Sequence, residues 1–447
     1  MLQDSETVTT QVTDEQLDAA LAAGATYFAT QPTTQYDRCE HLLALAQLFD
    51  DQAAELATQA AHDMHKLFAE GQQEAHAAAA ILRYYANHGP AFLTPKPYVY
   101  GPHDAPAQLE YAPLGIVLAV EPWNFPYTQV IRVLAPNYLA GNPVLLKPAR
   151  QVAGCAAALE DLAQAAGIPA GAFVSLPLTH DQVAQAIADD RVQGVAVTGS
   201  PAVGRHLASL AGQALKKCTL ELGGSDACVI LDDADLATAI PAMATSRLRN
   251  AGQTCTSAKR FIVHRDVADQ VIGGLKTIFE AQLIGDPLDP ATTLAPLASV
   301  AGQTHLSEQV NRALEHGATA LIPGGAVPGG TGFRPTLLTD LAPTNPATQE
   351  EFFGPVAQLY VVDSDDQAVA VANQTPFGLA GSIFSGDHQR AQRLASRLAT
   401  GQVFINQGSS GIPELPLGGI KQSGYGREMS DLGILEFMNA KIVVLPA

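Results

Sequence analysis

Gly115-Ile-Val-Leu-Ala-Val-Glu-Pro-Trp-Asn-Phe-Pro126 is the stretch that decides the fold. Its opening run is apolar and rich in residues that suit a strand buried on both faces. Two prolines then fix a turn, and a helical pattern follows over Gln129–Leu139. The unit recurs downstream. Pro143-Val-Leu-Leu-Lys147, Phe173-Val-Ser-Leu176 and Gly194-Val-Ala-Val197 are short apolar runs, interleaved with helical patterns at Ala153–Ala166, Asp181–Ala188 and Ala202–Leu210. Such alternation implies right-handed crossovers and a parallel sheet covered by helices on both sides. Ligands of these sheets sit beyond the C-terminal ends of the strands.

Before this block, the chain is Ala-rich and helical. Thr13-Asp-Glu-Gln16 forms a capping box, and helical spacing runs over Arg38–Phe68 and Glu74–Tyr85 until the Pro/Gly-rich stretch Thr94–Pro106. After it, a second alternating block extends from Cys228 to about Val403, with strands at Arg260–Val263, Val356–Val362 and Ser382–Phe384. The boundary between blocks falls near Gly223-Gly224, and Gly324–Gly332 reads as a surface loop. Lys441-Ile-Val-Val-Leu445 is a strand with no partner nearby in sequence. Pairing with Gln108–Ala112 would let it extend a sheet into a neighbouring subunit.

At 447 residues the chain calls for at least two domains, and 47% hydrophobic with 15% charged residues is an ordinary globular balance. A formal charge of -19 argues against nucleic acid as a partner. The apolar runs are strand-sized, so no membrane span is expected, and the acidic N-terminal heptapeptide lacks the features of a secretory leader. Cys39, Cys155, Cys218, Cys228 and Cys255 are scattered without metal-ligand spacing. They fit reduced thiols in a cytoplasm, with no metal site.

Chemistry concentrates at two points. Glu221-Leu-Gly-Gly224 ends an apolar run with a carboxylate, and Arg249-Asn-Ala-Gly-Gln-Thr-Cys255 brings small residues up to a thiol. Cys255 alone reads as a packed small hydrophobe. Together, a thiol nucleophile and a carboxylate base from separate loops make an acyl-transfer site. Asn124, fixed between prolines, is a pre-positioned donor for an oxyanion; a rigid structural turn explains the same prolines equally well. Val195-Ala-Val-Thr-Gly-Ser200 followed by Pro201 is a strand, a turn and a helix start suited to pyrophosphate, although a plain strand-to-helix turn has the same spacing.

Pro122-Trp-Asn-Phe-Pro126, Lys147-Pro148, Thr198-Gly-Ser200, Glu221-Leu-Gly-Gly224, Gly252-Gln-Thr-Cys255, Glu351-Phe-Phe-Gly-Pro355 and Leu415-Pro-Leu-Gly-Gly-Ile-Lys-Gln-Ser-Gly-Tyr-Gly-Arg-Glu428 follow the order and spacing of the aldehyde dehydrogenase superfamily. The resemblance covers nearly the whole chain and is nearest to the succinate-semialdehyde dehydrogenase branch. It implies an α/β fold with a Rossmann-type dinucleotide-binding domain (1–94 and 114–222), an α/β catalytic domain (223–420) and a small β element for oligomerisation (95–113 and 438–447). It also implies a homodimer or homotetramer acting on a small-molecule aldehyde.

By the same resemblance, Cys255 attacks the aldehyde to give a thiohemiacetal, whose oxyanion Asn124 and the Cys255 N–H hold. Hydride leaves to the nicotinamide, and Glu221 activates the water that hydrolyses the resulting thioester. Glu351 and Phe353 match contacts to the nicotinamide ribose, while Lys147 and Ser200 match contacts to the adenosine ribose and pyrophosphate. Trp123, Gly199, Gly204 and Leu222 belong to the same cofactor-binding set. Arg150 stands where NAD-preferring relatives often carry a glutamate. A guanidinium there attracts a 2′-phosphate, so NADP is the expected cofactor and NAD the alternative. Leu417 replaces a usual phenylalanine and keeps an apolar role.

Arg132 and Arg249 match arginines that clamp the distal carboxylate of succinate semialdehyde, with Ser410 in the covering loop Gln407–Pro413 as a further substrate contact. Two guanidiniums facing the site favour a short ω-carboxy aldehyde. Other small charged aldehydes, such as glutarate semialdehyde or a phosphorylated triose, are the enzymatic alternatives. A catalytically silent binding protein of the same fold is the other.

Overall fold

Ile116–Glu121 lies inside a six-stranded sheet of the computed structural model, which describes residues 12–101 and 103–446. The N-terminal heptapeptide, in which no leader is expected, lies outside the described residues. The strand order is Gly424–Tyr425, Lys217–Glu221, Val192–Thr198, Ile116–Glu121, Val144–Pro148, Phe173–Ser175. Every pairing is parallel except that of Gly424–Tyr425. All six residues of Ile116–Glu121 are buried because the strand feeds two cores. Val117 and Ala119 pack with Ile131 and Leu134 of the following helix, Thr128–Ala140, while Leu118 and Val120 pack with Ile187 and Leu207 on the other face. A continuous apolar run is what two covered faces require.

The second block forms a seven-stranded sheet ordered Thr319–Ile322, Thr336–Thr339, Val356–Val362, Ala258–His264, Asp226–Ile230, Ala380–Phe384, Gln402–Ile405. Its pairings are parallel except for the first. Lys217–Glu221 belongs to one sheet and Asp226–Ile230 to the other, so the chain crosses between them at residues 222–225. The C-terminal end of the first sheet thereby meets the N-terminal ends of strands in the second.

The third sheet is antiparallel and has three strands, Lys96–Tyr100, Ala105–Pro113 and Met438–Val444, with Ala440 opposite Tyr111. One of its two edge strands, Lys96–Tyr100, is exposed along its whole length and carries Tyr98, Val99 and Tyr100.

Two expectations of local structure change. The pattern over Arg38–Phe68 is divided among Gln35–Asp51, Ala53–Met64 and the start of Phe68–Phe92. Gln52 leaves helical geometry, and His65 adopts a left-handed cap at φ 61. All three pieces bury one face in the same core, so apolar spacing passes through breaks only one to three residues long. The Gly324–Gly332 loop also holds a short pairing, Gly325–Ala326 with Phe333–Arg334.

Candidate active site

Asn124 sits in the turn after the central strand, 3% exposed. Its Oδ1 accepts a hydrogen bond from Gln129 Nε2 at 3.1 Å, which sets the orientation of the amide. Its Nδ2 donates to the Gln253 carbonyl at 3.0 Å, leaving one N–H available. The turn is held from behind by residues that the sequence reading missed. Lys66 Nζ donates to the Asn124 carbonyl at 2.8 Å, and Glu74 accepts from the N–H groups of Tyr127 (2.8 Å) and Thr128 (3.0 Å). Lys66 and Glu74 themselves form a fully buried ion pair. The only signal for them was the spacing of Lys66, Glu70 and Glu74, four residues apart.

The approach to Cys255 is unusual backbone. Asn250 (φ 53), Ala251 (φ 52) and Gly252 (φ 77) are consecutive left-handed residues, a conformation costing an L-residue roughly 1–2 kcal/mol. Glycine is required at position 252 for space as well, since a Cβ there would lie 2.3 Å from the Gly354 backbone. Anchors hold the strained turn: the Asn250 N–H donates to Glu70 Oε1 at 2.9 Å, and its Nδ2 donates to Asn124 O (2.9 Å) and Gln253 O (3.1 Å). The Asn124 turn and the loop leading to Cys255 thus share acceptors. Cys255 is half-buried, and burial pushes its thiol up to about 11 against the opposing pull of Arg132 and Lys259.

Glu221 ends its strand 6% exposed. Burial, reinforced by Glu428, raises its carboxyl well above the usual range, with Arg132 and Arg427 opposing. The parallel register aligns Glu121, Thr198 and Glu221 on adjacent strands, facing the Thr128–Ala140 helix. Both carboxyl oxygens of Glu121 and Oε1 of Glu221 are buried without a well-formed hydrogen bond among the described residues. Burial and Glu428 raise Glu121 in the same way. Arg132 Nε lies 3.0 Å from Glu428 Oε2, so one guanidinium stands among three carboxyls.

The two glycines after Glu221 make close approach feasible. A Cβ at Gly223 would lie 2.1 Å from Glu351 Oε2, and one at Gly224 would lie 2.8 Å from the Cys255 carbonyl. Glu351 Oε1 accepts from the Gly224 N–H at 3.1 Å and pairs with Lys259 at 3.0 Å. Phe353 meets Trp123 edge to face at 5.8 Å. Trp123, Leu222, Glu351 and Phe353 therefore fall in one neighbourhood, next to Cys255, Asn124 and Glu221.

Lys147, Arg150, Gly199 and Ser200 lie at the C-terminal ends of the two strands that flank Ile116–Glu121 in the same sheet. Ser200 caps the helix Pro201–Gln213, and a Cβ at Gly204 would meet Leu222 at 2.6 Å. Lys147 is half-buried without an ion pair among the described residues, and burial, then Arg150, lowers its ammonium's pKa. Arg150 is exposed beside it. Two unpaired cations near a helix N-terminus fit the phosphates of a dinucleotide.

The two arginines expected to meet the substrate occupy unlike surroundings. Arg249 is exposed, with its guanidinium over the Phe125 ring at 5.2 Å. Arg132 is almost enclosed, and its Nε faces Glu428 while its terminal nitrogens make no hydrogen bond among the described residues. Ser410 is half-buried, and its neighbour Ser409 ties the loop to the Thr256 carbonyl.

Residues 3–443 match the aldehyde dehydrogenase family. The chain is 46% identical to the succinate-semialdehyde dehydrogenase [NADP(+)] of Deinococcus radiodurans, over 92% of this chain and 86% of that protein. Identity to the enzyme of the same name from Mycobacterium avium is 39%, over 97% and 93%. Among solved structures, succinic semialdehyde dehydrogenase from Streptococcus pyogenes in complex with NADP+ superposes with a TM-score of 0.95 at 41% identity, covering 98% and 96%. With that match over nearly its full length, and a thiol, an amide and a carboxyl converging where two α/β sheets meet, this chain belongs to the aldehyde dehydrogenase family.

Proposed function

We propose that this enzyme oxidises succinate semialdehyde to succinate with NADP, through a thioester on Cys255. The observation that carries the substrate is Arg249, an exposed guanidinium with no ion pair among the described residues, six positions before the nucleophile. A carboxylate bound there, and reached by the free terminal nitrogens of Arg132, would bring the other end of a short semialdehyde to Cys255. Ser410 lies in the loop that would close over it.

In this reading Cys255 gives up its thiol proton to solvent and attacks the aldehyde carbon, and the free Asn124 N–H with the Cys255 N–H holds the oxyanion. Lys147, Arg150, Ser200 and the start of Pro201–Gln213 would bind the phosphates, while Trp123, Gly199, Gly204, Leu222, Glu351 and Phe353 would line the remainder of the cofactor cleft. NADP, when bound, supplies the hydride acceptor that converts the thiohemiacetal to a thioester. Glu221, its proton affinity raised by burial, then takes a proton from water as that water attacks the thioester. Arg150 favours NADP because a guanidinium can pair with the 2′-phosphate.

We also assign the three sheets to a dinucleotide-binding domain, a catalytic domain and an assembly element. The exposed strand Lys96–Tyr100 would join copies into a homodimer or homotetramer, and five unpaired cysteines suit a reducing cytoplasm. The direct test compares catalytic efficiencies for a panel of semialdehydes with NADP and NAD. Succinate semialdehyde with NADP should lead, and equal efficiency with both nucleotides would overturn the cofactor assignment. Cys255→Ala should abolish oxidation; unchanged turnover would overturn the mechanism.

A further inference from the structure

Lys259 begins the strand behind the nucleophile, and its side chain is fully buried. Its ammonium donates to Thr254 O at 2.7 Å and to Cys255 O at 2.5 Å, and forms an ion pair with Glu351 Oε1 at 3.0 Å. One buried cation therefore ties the nucleophile's own peptide group to the carboxylate that faces the cofactor cleft. Glu351 is fixed in turn by the Gly224 N–H and by its seat over Gly223.

Other charges bear on the thiol too. Arg132 approaches it from the Thr128–Ala140 helix, and buried Asp226 stands at the start of the neighbouring strand. Arg247 lies under the loop, donating to the Gly252 carbonyl. Lys259 and Arg132 favour the thiolate, whereas Glu351 and Asp226 oppose it. Of the two opposing carboxylates, Glu351 is the one the cleft reaches.

We propose that Lys259 is a positioning residue that couples occupancy of Glu351 to the reactivity of Cys255. Hydroxyl donors arriving on Glu351 draw its negative charge away from Lys259, whose field on the sulfur then grows. The thiol proton passes to buffer and the thiolate gains. This step rests on the reading above that Glu351 meets a ribose.

The experiment follows alkylation of Cys255 by iodoacetamide as a function of pH, with and without NADP and without substrate, by mass spectrometry of the peptide carrying Cys255. The midpoint of the rate–pH curve is the readout, because steric shielding by the nucleotide scales the rate without moving the midpoint. The chain's single tryptophan, Trp123, lies against Phe353 and reports nucleotide binding by fluorescence, so each variant is compared at saturation. In the wild type NADP should lower the midpoint by about one pH unit, roughly tenfold in thiolate below it. In Lys259→Met the midpoint should start higher and stay unmoved by bound NADP. Lys259→Met/Glu351→Leu removes both members of the buried pair and serves if the single variant does not fold; it should be equally unresponsive. An NADP-driven shift that survives in either variant, or a wild type that binds NADP without a shift, overturns the coupling alone. A wild type that binds no NADP overturns the functional reading with it.

Discussion

Two groups of buried charge flank Cys255, and they are built on opposite principles. On the side of the Asn124 turn and the strand behind the thiol, Lys66–Glu74 and Lys259–Glu351 are closed pairs whose remaining donors and acceptors hold backbone. On the Glu221 side, Glu121, Glu221 and Glu428 crowd one guanidinium, with several oxygens left without a well-formed hydrogen bond among the described residues. Burying charge is costly unless it is paired, so the first arrangement fixes geometry. The second leaves carboxyls with raised proton affinity, the condition a general base needs near neutral pH. The first side sets positions; the second raises the proton affinity of its carboxyls.

The strongest way to break this contrast is Glu221→Gln. Turnover should fall by about 10²–10⁴-fold, while the first-turnover burst of reduced nucleotide persists. Loss of the burst as well would mean that Glu221 is needed for geometry, and the distinction would collapse. Lys66→Met tests the opposite side. Stranding Glu74 should destabilise the fold by about 3–5 kcal/mol in denaturant unfolding, whereas Lys66→Met/Glu74→Leu should recover most of that. Failure of the double variant to recover would show that the pair does more than neutralise itself.

Arg249→Ala sharpens the comparison from outside both groups. Losing a charge-assisted contact worth about 1.5–3 kcal/mol should raise the Michaelis constant for succinate semialdehyde roughly 10–150-fold and leave an uncharged aldehyde unaffected. A similar loss for both substrates would place Arg249 in the scaffold.

The smallest effect concerns pH. Glu121 has a folded-state pKa raised above the ~4.3 of an unfolded glutamate. Its contribution to stability is therefore fully present below that unfolded value and is lost as pH rises through the folded one. Glu121→Gln cannot titrate, so its melting temperature should decline less than the wild type's between weakly acidic and alkaline pH. Parallel curves would show that Glu121 does not hold a proton in the fold.

Much of the architecture was legible because it rests on local pattern. The run from Gly115 to Val120 reads as a strand fed into two cores, and Thr13 caps its helix with Gln16 in the expected reciprocal bonds. Asn124, Glu221 and Cys255 announced themselves through neighbouring prolines and glycines, whose geometry is local. Lys66, Glu70, Glu74 and Lys259 gave no comparable sign. Each looks like an ordinary residue of a helix or strand, and its meaning comes from a partner up to 180 positions away, as with Glu70 and the Asn250 N–H. The break at Gln52 escaped because one non-helical residue scarcely disturbs apolar spacing.

Alternation of strand and helix, the turn-forming prolines and glycines, and the kinds of reactive group at the sheet ends were all determined by the chain's order of residues, since backbone preference and side-chain periodicity act over a few positions. Which carboxyls have their proton affinity raised, which lysines are paired with a carboxylate, and which of two arginines has no ion pair among the described residues were decided only by the folded arrangement. Those properties follow from distance and from exclusion of water, and neither exists until remote segments meet.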